Sequence, residues 1–211
     1  DRELLIRMRE VGFKRLAFGV EAGNNKVLAS LKKGEKIEVI KEAIQTACDL
    51  GFFVSIFFVI GSPTETISDV QDSIDIALSY PISNVSFYNL IPLPGTELFD
   101  WVQKNNYFIV RPEIYLNQGG RIQTGTTPLF DTPEFSVKER RIALKKTKRI
   151  ERYIKKNIIE KRLIKLYPFN KLIAFIYTLN FVKYAEEKLI HYELFRRTIG
   201  EIRNKIRLFF Y

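Results

Sequence analysis

Two carboxylates that follow short apolar runs are the first residues here that could do chemistry. Glu21 closes "KRLAFGV" and opens "EAGNN", and Glu65 lies four residues past Gly61 in "FVIGSPTET". A carboxylate at the mouth of an otherwise apolar run can accept hydrogen bonds from a ligand's hydroxyl or ammonium groups. Glu21 also fits a structural ion pair, with Lys32 or Lys33 as its partner, and the two readings carry comparable weight. Around Glu65, Gly61 permits close approach of a ligand to the backbone, and Pro63 stiffens the turn. Thr66 with Asp69 three residues on reads as a capping box, so a helix should start near Ile67. The free N–H groups of that turn suit an anion. A well-made turn accounts for Gly61, Pro63 and Thr66 without a ligand, and Glu65 reads as shaping the turn rather than reacting. The third stretch is "LIPLPGTELFD": Leu90, Ile91 and Leu93 form an apolar rim stiffened by Pro92 and Pro94, with Thr96 as a helix cap. That rim suits the flat face of a base, or packing against its neighbours.

Other chemistry is excluded by count. Cys48 is the only Cys and His191 the only His, which rules out an internal disulfide, an all-Cys metal site and a multi-His metal site. Cys48 lies in the helical stretch "AIQTACDLGF" and reads as a small buried residue. No residue is assigned as catalytic and none as a metal ligand. Without disulfides or a signal peptide at this terminus, a cytoplasmic setting is expected. The chain starts at Asp1 rather than Met, so a preceding segment is expected too.

Three repeats position the candidate residues. "LLIRMREVGF" leads into "KRLAFGV", "EVIKEAIQTACDLGF" into "FVSIFFVI", and "DVQDSIDIALSYP" into "SNVSFYNLI". Gly12 and Gly51 stand where a helix would end in a left-handed residue. The apolar runs are short, nearly continuous and rich in Val, Ile and Phe, the pattern of parallel strands covered on both faces. Alternating helix and strand with short links predicts an α/β fold. Three units over residues 1–108 are about half of a (β/α)₈ barrel, which takes roughly 250 residues. The expected class is therefore the C-terminal half of a partial, TIM-like (β/α) barrel followed by an all-helical basic tail. Residues 109–135, with Pro112, Gly119, Gly120, Gly125, Pro128 and Pro133, read as a long loop or linker. Residues 136–211 read as a basic helical region, opened by a capping box of Ser136 and Glu139 and interrupted at Pro168.

Charge separates the two halves. Residues 136–211 hold 21 Lys+Arg against 7 Asp+Glu, a net +14, whereas residues 1–135 hold 13 against 17, a net −4. The basic half could meet an anionic lipid surface, nucleic acid or an acidic partner. The apolar run Leu172–Val182 spans 11 residues between Lys171 and Lys183, short of the roughly 20 that cross a bilayer, and reads as a docked or interfacial helix.

The three strand-end stretches, in this order and spacing, resemble the radical S-adenosylmethionine (radical SAM) enzymes. "GFKRLAFGVEAGNNKVLASLKKG" is similar to the fourth barrel strand of that family, "GFFVSIFFVIGSPTET" to the fifth and "VSFYNLIPLPGTELFD" to the sixth. The resemblance covers roughly residues 2–105 and is strongest to the cobalamin-binding subgroup, through "IGSPTET" and "PLPGTELF". It implies S-adenosylmethionine and a 4Fe–4S cluster as cofactors, with cobalamin as a further expectation. It implies generation of a 5′-deoxyadenosyl radical or methylation of a substrate. On the same footing Glu21 would meet the ribose hydroxyls or amino group of S-adenosylmethionine. Val59, Ile60 and Gly61 would line the adenine side, Leu90, Ile91 and Pro92 would close over the adenine, and Ser55 would face the methionyl group. The family's CxxxCxxC cluster motif is absent from this chain, so the cluster ligands and any cobalamin domain are expected upstream, and this chain alone is expected to be inactive. The expected partners are a small-molecule or lipid-like substrate, the upstream half of the same polypeptide, and a membrane surface through the basic helices.

Two other readings compete with this one. A different barrel enzyme, an aldolase or phosphate-binding synthase, calls for a Lys or Gly-rich phosphate loop at a strand end, and neither is found. A non-enzymatic basic helical module binding nucleic acid or an anionic membrane surface is the alternative function. Nucleic acid is disfavoured, because the helical spacing of the tail's aromatics suggests core rather than exposed stacking platforms.

Overall fold

A computed structural model describes residues 1–117, 125–164 and 167–179. The expectations for Gly119 and Gly120, for residues 180–211 and thus for His191 lie outside the described residues. The chain divides into two compact units, Asp1–Glu151 and Arg152–Tyr211.

The first unit runs α1 (Arg2–Glu10), β1 (Arg15–Glu21), α2 (Asn25–Ser30), α3 (Ile37–Asp49), β2 (Phe53–Ile60), α4 (Ile67–Ser79), β3 (Asn84–Asn89), α5 (Glu97–Lys104) and α6 (Pro112–Leu116). It then enters α7 (Val137–Arg162), whose last turns lie past the boundary. The local signals act as expected. Gly12 and Gly51 take φ of +96° and +76° after α1 and α3, a region open to Gly without steric cost. Thr66 and Asp69 form a reciprocal capping box on α4, Thr96 caps α5, and Ser136 and Glu139 exchange hydrogen bonds at the start of α7.

The strands form one parallel sheet in the order β1-β2-β3. Each crossover steps to the next neighbour in the same direction, and with the right-handedness such connections take, this puts the crossover helices on one face. There α3 buries Ile40, Ile44 and Ala47, and α4 buries Val70, Ile74 and Ala77. Val54, Ile56, Phe58 and Ile60 of β2 are buried against them, and Phe58 stacks on Phe87 at 4.9 Å between ring centroids. Each such side chain contributes about 1.5–3 kcal/mol of hydrophobic stabilisation.

The other face departs from the expected two-sided cover. Ala17 and Gly19 are exposed, and Ser55, Phe57, Val59, Ser86 and Tyr88 are only half-buried. An apolar run with no period-2 signal conceals this, because Phe57 and Val59 are as apolar as their buried neighbours. The outer edge of β3 is closed by side chains of α7. The Phe87 N–H donates to Glu151 Oε1 at 2.6 Å, and its carbonyl accepts from Lys148 Nζ at 2.7 Å. Lys148 and Glu151 are themselves paired at 2.7 Å. Backbone groups that would otherwise template another strand are thereby satisfied.

The described part of residues 105–135 is packed. Val102, Tyr115, Leu129 and Phe130 are buried together, with Leu90, Ile91 and Trp101 against them. In the second unit, Asn170 Nδ2 donates to the Glu160 carbonyl at 3.1 Å. Helix α8 (Phe169–Tyr177) buries Ala174 and exposes Phe169, Leu172, Ile173, Phe175 and Ile176. Among the described residues no helix is long and apolar enough to cross a membrane.

Candidate functional site

The carboxyl ends of β1, β2 and β3 lie side by side. Glu21 stands opposite Phe58 in the ladder, Ile60 opposite Asn89, and the Leu90 N–H donates to the Ile60 carbonyl at 2.9 Å. Glu21, Val59–Gly61 and Leu90–Pro92 are thus set along one edge of one sheet. Ser55 lies lower on β2, between Ala17 and Asn84 in register and on the same face as Val59. Ile60 is on the other face, buried under the helices.

Glu21 has φ of +68°, and the ladder slips by one residue between Gly19 and Glu21. This turns the carboxylate back along β1. A Cβ added to Gly19 would sit 2.5 Å from Glu21 Oε1. The same oxygen is 3.6 Å from Lys33 Nζ, and Lys32 pairs with Glu97 instead. The Glu21 and Lys33 side chains keep 30% and 26% of their surface in solvent. A pair this accessible contributes roughly 0–1 kcal/mol, so the carboxylate can exchange its partner for a ligand at little cost. The sharp exit from β1 is made at Glu21 itself. Gly23 is needed because a Cβ there would lie 2.3 Å from the Ser73 nitrogen of α4. Asn24, not Asn25, caps α2, and its Nδ2 also donates to Asp69 at 2.8 Å and Asp72 at 2.7 Å.

Glu65 is completely buried. Its Oε2 accepts from the Gly61 N–H at 2.5 Å and the Ser62 N–H at 3.0 Å. Among the described residues, Oε1 and the Ser62 hydroxyl have no hydrogen-bond partner. Burial therefore dominates and raises the Glu65 carboxyl to about 7, against the pull of the two N–H donors and the Arg140 charge. Glu65 folds the turn around its own carboxylate and has no surface with which to meet a ligand.

Leu90 and Ile91 are half-buried, and Pro92 is buried with its carbonyl accepting from the Tyr115 hydroxyl at 2.5 Å. This rim is held from behind by the Val102–Tyr115–Leu129–Phe130 cluster. Cys48 lies on α3, where burial, with Asp49 beside it, pushes its thiol up. Among the described residues no three His, Cys, Asp or Glu side chains are grouped to hold a metal ion.

Two residues absent from the sequence reading matter here. Asn89, at the end of β3, is buried and donates to the Thr127 carbonyl at 2.8 Å. Arg140, on α7, is 2% exposed and bonds the Gly61 carbonyl at 2.9 Å. Within a stretch of seven Lys and Arg from Lys138 to Arg149, no local signal separates the one that is buried.

Comparison with known proteins agrees with the strand-end wording. Residues 1–77 match the family model of the radical SAM superfamily. The chain is 37% identical over 105 residues to cytidylyl-2-hydroxyethylphosphonate methyltransferase of Streptomyces wedmorensis, covering 46% of this chain and 20% of that relative. It is 32% identical over 102 residues to a protein of Methanocaldococcus jannaschii named as a methylthiotransferase, covering 48% of this chain and 23% of that relative. It is 30% identical over 103 residues to the heme chaperone HemW of Bacillus subtilis, covering 48% and 27%. The chain thus spans a fifth to about a quarter of the length of these relatives.

Proposed function

We propose that this chain forms one wall of an S-adenosylmethionine site in a radical SAM enzyme, with the adenosyl half lying along the tips of β1, β2 and β3. The alignment of Glu21, Val59–Gly61 and Leu90–Pro92 on one sheet edge carries this reading. The residue chemistry fits the ligand. Glu21 would accept from ribose hydroxyls or the amino group, and its open pairing with Lys33 leaves it free to do so. Val59 offers apolar surface to the adenine, Gly61 is buried with its N–H and carbonyl already bonded and so fixes the end of that wall rather than meeting the ligand, Leu90 and Ile91 close the far side, and Ser55 would face the methionyl end. When bound, S-adenosylmethionine would supply a 5′-deoxyadenosyl radical, with methionine released, on one-electron reduction, or a methyl group to a nucleophile, with S-adenosylhomocysteine released and no reduction. The part of these residues is to bind it, orient it and keep water from it.

A 4Fe–4S cluster does not fit this chain. Cys48 is its only Cys, and one thiol on a helix cannot supply the several thiolates such a cluster takes. Cluster ligands, and any cobalamin, belong to residues outside this chain, so the catalytic unit is the polypeptide that joins both parts. Titration calorimetry of that polypeptide with S-adenosylmethionine should show one site. Val59→Asp should abolish binding, and Glu21→Gln should weaken it about tenfold, the loss of a charge-assisted hydrogen bond. Unchanged affinity in both variants would overturn the reading.

A second reading concerns residues 152–179. Phe169, Leu172, Phe175 and Ile176 are exposed on a helix that carries Lys171, and Arg152, Lys155, Lys156, Lys161 and Arg162 precede it against Glu160 alone. Exposed apolar surface with a basic flank suits the interface of an anionic bilayer. On this reading the protein is cytoplasmic and peripheral to the membrane, and its substrate is lipid-like. Co-sedimentation with phosphatidylglycerol vesicles but not phosphatidylcholine vesicles, lost in Phe175→Asp, is the expected result.

A further inference from the structure

The peptide at the tip of β2 is held from both sides by side chains distant in the chain. On one side, Glu65 takes the N–H groups of Gly61 and Ser62. On the other, Arg140 Nη1 donates to the Gly61 carbonyl at 2.9 Å, across 79 residues of sequence. The guanidinium is itself fixed. Its Nε donates to the Phe135 carbonyl at 2.8 Å and its Nη2 to Thr132 Oγ1 at 3.2 Å. The Phe130 and Phe135 rings lie 4.5 and 4.8 Å from its Cζ. Gly61 has φ of +107°, and a Cβ there would come within 2.4 Å of Arg140 Nη1, so a side chain at position 61 would displace the guanidinium.

We propose that Arg140 is a positioning residue for the Val59–Gly61 wall, so that α7 is a built-in part of the strand-tip site rather than a detachable basic tail. The proposal rests on the functional reading above for the identity of the ligand, but not for the clamp itself. Its physical ground is the number of acceptors. Three acceptors, on Gly61, Thr132 and Phe135, converge on one planar fork, a geometry that guanidinium satisfies and a Lys ammonium on a flexible stem does not. With the carbonyl released, a Gly at positive φ is free to turn its peptide, and the backbone a ligand would approach loses its shape.

The test compares Arg140→Lys with Lys148→Met in the whole polypeptide. Lys148 sits on the same helix and bonds β3 at Phe87, away from Gly61, so it reports the cost of loosening α7 alone. In Arg140→Lys, hydrogen exchange should rise at least tenfold in the peptide covering residues 59–65 while β3 stays protected, and affinity for S-adenosylmethionine should fall about tenfold. In Lys148→Met, exchange should rise at β3 and the affinity should stay within twofold. Three results overturn the proposal: unchanged exchange at residues 59–65 in Arg140→Lys, unchanged affinity there, or an equal loss of affinity in Lys148→Met. If the unmodified protein binds no S-adenosylmethionine, the functional reading fails on its own, and the exchange result alone decides the clamp.

Discussion

Two neighbouring strands each carry a glutamate at their carboxyl end, and the fold uses them in opposite ways. Glu21 ends β1 in a left-handed conformation with its side chain partly exposed and a loosely paired Lys33. Glu65 follows β2, buries its whole side chain and spends one oxygen on two backbone N–H groups. One carboxylate is left available and the other is consumed. Burial, not residue type or distance from the strand, decides which carboxylate stays accessible and which is structure.

The largest effect that separates them is on stability. Glu65→Ala leaves the Gly61 and Ser62 N–H groups unsatisfied and removes the counter-charge near Arg140, so urea unfolding should show a loss of about 3 kcal/mol or more. Glu21→Ala should stay within about 0.5 kcal/mol. Equal losses would erase the distinction.

The pH dependence sharpens it. The Glu65 carboxyl is raised to about 7 in the folded protein, from 4.5 when unfolded. A raised carboxyl means that the folded state holds its proton longer. Its stabilising contribution is full below about pH 4.5 and is lost as pH rises through 7, a fall of about 3 kcal/mol over that window. Glu65→Gln keeps an acceptor for both N–H groups and cannot titrate, so its stability should be flat across the same range. A slope that survives in Glu65→Gln would assign the titration elsewhere.

The loop behind Glu21 depends on shape. Gly23→Ala drives a methyl into the backbone of α4 and should cost about 2 kcal/mol by thermal unfolding. The smallest stability change and the sharpest functional one coincide in Glu21→Gln. It should leave the melting temperature within 2 °C, a change of roughly 0.5 kcal/mol at most, while weakening S-adenosylmethionine about tenfold. A melt that moves with the affinity would return Glu21 to the structural class.

Much of this was legible one element at a time. Ser136 with Glu139, Thr66 with Asp69, and Gly12 and Gly51 at helix ends are signals whose partners lie within a few residues, so spacing alone identifies them. The three strand tips were legible for the same reason, as words of fixed order. The choice of Lys33 over Lys32 for Glu21 was not, because it turns on a ladder slip that no residue type encodes. The half-open second face of the sheet was hidden in a run where every residue is apolar.

The sequence by itself determined the order of helices and strands, their caps and breaks, the exclusion of a cluster held by this chain's own cysteines, and the resemblance at the strand ends. These follow from local backbone chemistry and from counts. Only the tertiary structure decided which carboxylate is buried, which arginine of a basic run reaches Gly61, and how Lys148 and Glu151 close the edge of β3. Those outcomes depend on which groups lose their water to one another across 60 to 80 residues of chain. Desolvation is a property of the packed whole that no local window contains.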